Sequence, residues 1–457
     1  MRKYKGKNVL IVGLGKSGTA AFDLMALSGA HIAVYDAKDI EWEDPKFFKK
    51  IKEVGARVFF NGAAVPDEPW DYMVMSPGVS PQLPLVQAGL AKGARMTGDL
   101  QLAYEIAQGP FVAITGTNGK TTTTTLTGEM YRKAALDSKV TGNIGTAVIS
   151  SVLDARPDCV FVTEVSSFQL ETCTSFRPDV SAILNITPDH LDRHGTLEEY
   201  AKMKGKVFAR QTEEDYLVYN ADDELTAKVA AKAKARKMPF SRLTELKQGA
   251  FARDGRMIIK TPKGKVIDLA GVDELLIPGA HNLENALAAS AIAWSGGVDP
   301  VYISQALTTF KGVAHRLEPA GTIDGVRFVN DSKGTNPEAS QKAIDATAPN
   351  ILLIAGGYDK HSDFHGFIRG FGGKVSQLIL LGATAAQIKR EAEEEGFTNI
   401  YMVEEMGEAV RLGFELAGPG DTVLLSPACA SWGMYTCFEE RGEHFKKCVA
   451  ELKGKKG

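Results

Sequence analysis

Residues 111–122 read FVAITGTNGKTT, in which an apolar run is followed by glycines, a lysine and threonines. This order predicts a buried strand over 111–114 that leads through a phosphate-binding loop into a helix. In such a loop the backbone amides wrap the phosphates of ATP, the Lys120 ammonium neutralises the β/γ charge and the Thr121 hydroxyl faces Mg²⁺. Because Ile114 stands where the full Walker A pattern has its first glycine, the sequence predicts a shortened ATP-binding loop.

Similar short apolar runs recur along the chain, and most of them end in glycine or a small polar residue. Continuous apolar runs suit parallel strands that are buried on both faces. Helical patterns separate many of the runs, over 18–29, 121–135 and 385–396 among others, which predicts right-handed βαβ units. The predicted strands are residues 9–12, 31–35, 72–75, 111–114, 159–163, 180–184, 216–219, 326–329, 351–354, 377–381 and 422–425.

The length of 457 residues predicts about three domains, at roughly 150 residues each. The Gly109-Pro110 pair precedes a fresh strand, and residues 311–315 lie between a predicted helix and the run 326–329. We expect three α/β domains with mainly parallel, doubly wound sheets: an N-terminal Rossmann-like domain, a central P-loop ATPase-like domain and a C-terminal Rossmann-like domain. The predicted bounds are 1–99, 100–312 and 313–457.

Acidic and basic residues nearly balance, with 53 Lys and Arg against 56 Asp and Glu and a net charge of −3. This balance argues against a protein that coats nucleic acid, and the basic segment 227–237 is interpreted as the solvated face of a helix. No apolar run reaches the roughly 18 residues of a membrane span, and the five cysteines form no CxxC pair. We therefore expect a cytoplasmic protein with reduced thiols, no nucleic-acid partner and no membrane insertion.

Gly13-Leu14-Gly15-Lys16-Ser17-Gly18 follows the first predicted strand, and Asp36 ends the second. The G-x-G-x-x-G order with a later acidic residue indicates a nucleotide-binding turn, in which the amino end of a helix faces a phosphate. Taken alone, this motif suggests NAD and hence an oxidoreductase. Any nucleotide diphosphate or sugar nucleotide can use the same geometry, and a glycine-rich turn without a ligand also fits.

Polar residues follow several other predicted strands, at the positions where doubly wound sheets bind ligands. Glu164 comes directly after the strand 159–163, and His190 lies in the segment DHLDRH over 189–194. A carboxylate and an imidazole form a suitable ligand set for Mg²⁺, although packing or capping explains His190 equally well.

Two later loops, 330–336 and 356–360, carry lysines at strand ends. Such lysines can hold an anionic substrate, and ordinary surface lysines are the alternative. The loop 426–431 contains Cys429, and no general base is recognisable beside it. For this loop we expect a turn of small residues rather than a thiol nucleophile.

Three motifs, in order along nearly the whole chain, resemble those of the ATP-dependent Mur ligases of peptidoglycan synthesis. Residues 115–122 are similar to the phosphate loop of that family, HNLENA over 281–286 to its adenine-side motif and DSK over 331–333 to its third-domain signature. Folylpolyglutamate synthases share this fold, and these three motifs do not separate the two groups.

Further segments resemble the Mur ligases that add D-glutamate: EVSSFQL over 164–170, SPACAS over 426–431 and FEERG over 438–442. The resemblance implies a monomeric ligase with UDP-N-acetylmuramoyl-L-alanine and D-glutamate as substrates, and with ATP and two Mg²⁺ ions as cofactors. ATP would phosphorylate the L-alanine carboxylate, and the amine of D-glutamate would attack the acyl phosphate and release phosphate.

The resemblance also implies roles for individual residues, and the glycine loop of the first domain would bind uridine nucleotide instead of NAD. The UDP substrate would contact Gly15, Lys16, Ser17, Asp36, Lys38, Ser76, Gly78 and Asn143. ATP would contact Gly116, Thr117, Asn118, Gly119, Lys120, Thr121, Thr122, Asn282, Asn285, Arg316 and Asp331. Mg²⁺ would be held by Thr121, Glu164, His190 and Lys204, the last of which matches the lysine that the family carbamylates. D-Glutamate would contact His315, Lys333, Thr335, Lys360, Ser431 and Phe438, and the catalytic groups would be Lys120, His190, Lys204 and Lys333.

Three positions depart from the family pattern. Ala37 stands where a hydroxyl residue is common, and Trp432 and Cys437 lie beside predicted D-glutamate contacts, where they could reshape the pocket. The alternatives to be tested are another amide ligase, such as a different Mur ligase or a folylpolyglutamate synthase, an NAD-dependent oxidoreductase, and a regulator that binds ATP without turnover.

Overall fold

The computed structural model describes residues 2–60, 62–66, 68–277, 279–358 and 363–454, without the side chains of residues 42, 43 and 192. In these residues the strands form three sheets of five, nine and six strands. The chain divides into two compact units, Met1–Phe310, which contains the first two sheets, and Lys311–Gly457, which contains the third. The bounds expected for three domains stay a prediction.

The first sheet is entirely parallel and has the order β3-β2-β1-β4-β5. The chain leaves β1 toward one edge and returns at β4 on its other side, so the loops after β1 and β4 flank the point where strand order reverses, which is where such sheets bind ligands. Its strands are β1 Asn8–Val12, β2 His31–Asp36, β3 Arg57–Phe60, β4 Tyr72–Met75 and β5 Arg95–Gly98. Its helices are α1 Lys16–Ser28, α2 Ile40–Glu43, α3 Pro45–Val54, α4 Pro84–Ala91 and α5 Asp99–Ile106.

The second sheet has the order β14-β13-β12-β11-β10-β9-β6-β8-β7, with the central strand β6 between β9 and β8. It is parallel from β7 to β12 and ends in the antiparallel strands β13 and β14. Its strands are β6 Phe111–Thr115, β7 Ser138–Gly142, β8 Val160–Glu164, β9 Val180–Ile183, β10 Tyr216–Asn220, β11 Arg236–Ser241, β12 Gly249–Arg253, β13 Arg256–Lys260 and β14 Val266–Gly271. Its helices are α6 Lys120–Lys133, α7 Val148–Leu153, α8 Ser167–Glu171, α9 Leu191–His194, α10 Leu197–Gly205, α11 Glu224–Ala230, α12 Ala280–Ser295 and α13 Pro300–Thr309.

The third sheet has the order β15-β16-β20-β17-β18-β19, and only the β15–β16 pair is antiparallel. Buried apolar side chains form a core cluster on each face of this sheet. Its strands are β15 Glu318–Ile323, β16 Val326–Asn330, β17 Ile351–Ala355, β18 Val375–Leu380, β19 Ile400–Met402 and β20 Thr422–Leu425. Its helices are α14 Pro337–Ala346, α15 His365–Arg369, α16 Ala385–Glu394, α17 Met406–Leu416 and α18 Phe438–Gly454.

One prediction made from the sequence is wrong. The basic segment 227–237 is not a single helix face, because α11 ends at Ala230 and Arg236 begins β11. Four of its basic side chains are nevertheless exposed, namely those of Lys228, Lys232, Lys234 and Arg236. None of the five cysteines, which all lie in the described residues, forms a disulfide. No helix within the described part of the chain combines the length and apolar character needed to cross a membrane.

Candidate active site

The glycine loop of the first sheet connects β1 to α1 and requires glycine at two points. Gly13 has a φ of +89°, in the left-handed region that favours glycine. A Cβ on Gly18 would lie 1.9 Å from the Gly13 carbonyl oxygen, so only glycine lets the helix start so close to the loop. Ser76, which follows β4, donates a hydrogen bond from Oγ to the same carbonyl at 2.7 Å.

Asp36 holds this loop from the end of β2. Its carboxylate accepts hydrogen bonds from the backbone N–H of Leu14 at 2.6 Å and from that of Lys38 at 2.9 Å. Ser17 donates from Oγ to the buried carboxylate of Asp99 at 2.9 Å, and burial raises the pKa of Asp99. The carboxyl ends of β1, β2 and β4 and the segments that follow them therefore meet, and every predicted UDP contact except Asn143 lies there.

Asn143 lies in the second sheet, just after β7. Its backbone N–H donates to the Glu164 carbonyl at 3.0 Å, and its Nδ2 donates to Glu164 Oε1 at 3.2 Å. This residue thus borders the predicted Mg²⁺ site rather than the glycine loop.

The phosphate loop joins β6 to α6 in the centre of the second sheet, and Asn185 holds its shape. The backbone N–H groups of Thr117 and Asn118 donate to the carbonyl and to Oδ1 of Asn185, at 3.0 and 2.8 Å. Gly119 has a φ of +81°, and a Cβ there would lie 2.3 Å from Asn285 Oδ1. Both observations explain why the turn from loop to helix needs glycine.

Two lysines converge on one carbonyl of this loop. Lys120 donates from Nζ to the carbonyls of Gly116 and Thr117 at 2.9 and 2.7 Å, and Lys204 of α10 donates to Gly116 O at 2.8 Å. Lys204 is only 1% exposed, and its ammonium lies 4.3 Å from the centre of the Tyr200 ring. Burial, and secondly the charge of Lys120, lower the pKa of Lys204 to about 7.

Two side chains that can supply oxygen ligands, those of Thr121 and Glu164, lie beside the phosphate loop. Glu164, the last residue of β8, is 2% exposed, and its Oε2 accepts a hydrogen bond from Thr121 Oγ1 at 2.9 Å. A hydroxyl and a carboxylate are the hard oxygen ligands that Mg²⁺ prefers. His190 has a φ of +52° and contacts Phe168, with 4.9 Å between the ring centres. Within the described part of the chain its imidazole makes no hydrogen bond to Glu164, and its Nε2 lies 3.6 Å from Oδ2 of Asp189.

The adenine-side motif lies in the first turns of α12 and is tied to α6. Asn285 donates from Nδ2 to Asn282 Oδ1 at 3.2 Å, and its Oδ1 accepts from Thr123 Oγ1 at 3.3 Å. Packing of α12 against α6 therefore places these two asparagines beside the phosphate loop.

Arg193 joins two parts of the first unit, and the sequence analysis did not identify it. Its guanidinium pairs with Glu171 at 2.6 Å and donates to the carbonyls of Pro77 and Val79, each at 3.0 Å. It also lies 4.2 Å from the centre of the Phe168 ring. This one side chain links the loop after β4 of the first sheet to the helices of the second sheet. The sequence carries no signal for that link, because the residues that Arg193 joins are far apart along the chain.

In the second unit the predicted residues gather at the carboxyl ends of β16 and β20. Asp331 accepts a hydrogen bond from Ser426 Oγ at 2.7 Å, and burial raises the pKa of Asp331 to about 6. The Lys333 backbone N–H donates to the His315 carbonyl at 3.0 Å, and the His315 ring centre lies 6.1 Å from that of Phe438.

The remaining described residues of the predicted set are Thr335 after β16, Arg316 before β15 and Ser431 after β20. Thr335 donates its backbone N–H to the Lys333 carbonyl at 2.9 Å, and Arg316 donates its backbone N–H to Val313 O at 3.2 Å. Ser431 is buried in the loop that follows β20. Lys360 lies outside the described residues. Of the unusual residues, Ala37 and Cys437 are exposed, and Trp432 is half exposed with its ring centre 5.8 Å from that of Tyr358.

The chain is similar to known Mur ligases along nearly its whole length. A model of the Mur ligase middle domain matches residues 114–293, and one of the Mur ligase glutamate ligase domain matches residues 315–429. The chain is 45% identical over 461 residues to the UDP-N-acetylmuramoylalanine--D-glutamate ligase of Caldanaerobacter subterraneus subsp. tengcongensis, covering 99% of this chain and 100% of the relative. It is 44% identical to the protein of the same name from Clostridioides difficile, with 98% and 99% covered.

Solved structures share the fold at lower identity. A UDP-N-acetylmuramate-alanine ligase from Thermotoga maritima superposes with a TM-score of 0.53 at 19% identity, covering 98% of this chain and 100% of that one. At this identity the likeness concerns the fold alone, and it confirms the predicted α/β class with mainly parallel sheets.

Proposed function

This chain belongs to the Mur ligase family, and from that premise we propose that it is an ATP-dependent ligase that adds D-glutamate to UDP-N-acetylmuramoyl-L-alanine in peptidoglycan precursor synthesis. The observation that carries the proposal is 45% identity to a D-glutamate ligase over the whole length of both chains. Membership of a ligase family argues against the oxidoreductase alternative and supports the proposal that the glycine loop binds uridine nucleotide.

The reaction must activate a carboxylate, because a carboxylate resists attack by an amine at neutral pH. The L-alanine carboxylate oxygen attacks the γ-phosphorus of ATP, which breaks the bond to ADP and forms an acyl phosphate. The amine of D-glutamate then attacks the acyl carbon, an amide forms, and phosphate leaves while the amine loses a proton. No side-chain nucleophile is required, so the residues act by positioning and by stabilising charge.

The phosphate loop supplies the stabilisation for the first step. The Lys120 ammonium lies against the Gly116 and Thr117 carbonyls. This ammonium and the backbone N–H groups of the loop that Asn185 does not engage would contact the β- and γ-phosphates. Asn282 and Asn285, tied to α6, support an assignment to the adenosine side, and Arg316 and Asp331 are assigned there from the family resemblance.

Thr121 and Glu164 fit a Mg²⁺ ion, because their oxygen atoms are 2.9 Å apart and buried beside the phosphate loop. Bound Mg²⁺ would neutralise charge on the transferring phosphoryl group. His190 completes the proposed ligand set. As an ammonium, Lys204 cannot be a ligand. A pKa of about 7 makes its amine available to bind CO₂ as a carbamate, which supports the proposal that it becomes a second oxygen ligand.

We propose that D-glutamate contacts His315, Lys333, Thr335, Lys360, Ser431 and Phe438. The UDP substrate is proposed to contact the loops after β1, β2 and β4, with Asn143 near the reacting end. Nucleotide substrates and free cysteine thiols support a cytoplasmic location. A monomer without nucleic-acid or membrane partners remains part of the proposal.

The first test measures phosphate release with ATP, Mg²⁺ and UDP-N-acetylmuramoyl-L-alanine, adding one amino acid at a time. We expect release with D-glutamate and none with L-glutamate, L-lysine or meso-diaminopimelate. Release with another amino acid alone would keep the family and the mechanism but overturn the specificity. The K120A variant should lose turnover, and full ADP release by that variant would refute the assignment of the ATP site.

A further inference from the structure

Arg441 is a buried cation that has no role in the reaction described so far. It lies in the first turn of α18 and is only 2% exposed. Its guanidinium reaches the two loops that follow β16 and β20, and these are the loops that carry Lys333 and Ser431.

Five hydrogen bonds join Arg441 to these loops. On one side, Nε donates to Ser332 Oγ at 3.0 Å and Nη2 donates to Ser332 O at 2.9 Å. On the other side, Nη1 and Nη2 both donate to Cys429 O at 3.1 Å, and Nη1 also donates to Ala430 O at 3.3 Å. A planar guanidinium with donors in a fixed fork can serve both loops at once, whereas a lysine ammonium presents its donors from a single point.

All of these acceptors are uncharged. Among the described residues Arg441 forms no ion pair, and burial lowers its pKa only to about 10, so the group keeps its charge at neutral pH. Buried charges are ordinarily paired with an opposite charge. In the described part of the chain this positive charge has no carboxylate partner, and it lies close behind the loops proposed to bind an amino acid with two carboxylates.

Each residue that Arg441 holds lies within two positions of a proposed D-glutamate contact. Ser332 precedes Lys333, Ala430 precedes Ser431, and Ser332 Oγ donates in turn to the Phe438 carbonyl at 2.8 Å. A change in the separation of the two loops would consequently displace the Lys333 side and the Ser431 side of the site relative to each other.

We propose that Arg441 is a positioning residue for the amino-acid half of the reaction, because its guanidinium fixes the separation of the Lys333 and Ser431 loops that hold the dicarboxylate substrate. The identity of that substrate rests on the proposed function. The fixed separation itself rests only on the contacts within this unit.

The kinetic test compares the wild type with R441K, which keeps the positive charge but lacks the planar set of guanidinium donors. We expect KM for D-glutamate to rise about tenfold or more, since hydrogen bonds from charged donors are lost. KM for ATP and for the UDP substrate should change by less than about twofold. The matched control is R390K, an arginine of the same unit whose side chain is 64% exposed, and it should match the wild type. An unchanged KM for D-glutamate in R441K, or an equal rise in all three KM values, would overturn the proposal.

A second measurement needs no substrate. Hydrogen exchange in R441K should quicken in peptides that cover 331–335 and 428–432 while the β17 and β18 peptides keep their wild-type rates. If the wild type does not use D-glutamate, the proposed function fails, and exchange still decides whether Arg441 ties the loops. Should R441K exchange rapidly throughout the unit, R441A with added guanidinium replaces it. Restored protection of the two loops by guanidinium supports the tie, and no restoration refutes it.

Discussion

The two lysines of the phosphate loop show how one carbonyl can set the properties of a site. Lys120 and Lys204 both donate to Gly116 O, within 2.9 Å, so two cationic groups share one acceptor in a buried region. Lys204 is nearly inaccessible to water, and burial together with the charge of Lys120 lowers its pKa to about 7.

This pKa predicts a specific dependence of stability on pH. Between pH 7 and about 10.5, unfolded Lys204 is protonated and folded Lys204 is largely neutral, so unfolding takes up a proton. The free energy of unfolding should therefore rise with pH in this window, by at most about 1.4 kcal/mol per pH unit, and this part of the rise should vanish in K204M. Urea unfolding at pH 7, 8 and 9 in bicarbonate-free buffer measures it.

The control for that experiment is K202M, two residues earlier in the same helix, with a side chain that is 76% exposed. Its pH profile should run parallel to that of the wild type. Parallel profiles for K204M and the wild type would contradict the assigned pKa.

Glu164 provides a second prediction at the level of one residue. Replacement by Gln keeps the size of the side chain but removes the charge that would face Mg²⁺. We expect kcat to fall about 100-fold and half-saturation to need at least about ten times more Mg²⁺, because metal-assisted charge stabilisation is worth several kcal/mol. Mg²⁺ titration of phosphate release checks this expectation. E224Q, with a side chain that is 84% exposed in the wild type, should behave like the wild type, and an unchanged Mg²⁺ requirement in E164Q would contradict the ligand assignment.

At the level of elements, the buried parallel strands were predictable because they are short, continuous apolar runs. The strands β3, β5, β7, β11, β15 and β19 were not predicted, because each contains exposed or half-buried residues. The strands β12 and β13 were missed because charged residues end their short apolar runs, as Arg253 and Arg256 do, and Asp268 interrupts β14. The phosphate loop and the glycine loop were predictable from local motifs. The links made by Arg193, Arg441 and Asn185 were not, because each joins segments whose closeness depends on tertiary structure.

Arg193 gives the prediction that belongs to this level, since it anchors the loop after β4 to the central sheet. Loss of its hydrogen bonds to the carbonyls of Pro77 and Val79 should raise KM for the UDP substrate about tenfold to 100-fold in R193A. KM for ATP should stay near its wild-type value, and R193K should lie between the two. R210A, which removes an exposed arginine of the same unit, should leave all KM values unchanged. If Arg193 did not hold the loop after β4, R193A would lower kcat and leave KM for the UDP substrate unchanged.

At the level of the whole molecule, the chain divides into the units Met1–Phe310 and Lys311–Gly457. Among the described residues the second unit has an apolar cluster on each face of its own sheet, and a unit with its own core can fold alone. We expect a fragment of residues 311–457 to unfold in one cooperative thermal transition and to release no phosphate from ATP. A broad transition accompanied by dye binding to exposed apolar surface would contradict this independence.

The acceptors of Arg441 have a consequence for how this protein can change over generations. Cys429 and Ala430 accept through main-chain oxygens, so the guanidinium is indifferent to which side chains stand at those two positions. Both positions are buried, so a replacement there must be of similar size, but it need not supply any particular polar group for Arg441. A change at residue 441 has no such freedom, because the donors belong to its side chain. The constraint on chemical type therefore falls on residue 441, and the constraint at 429 and 430 is one of size.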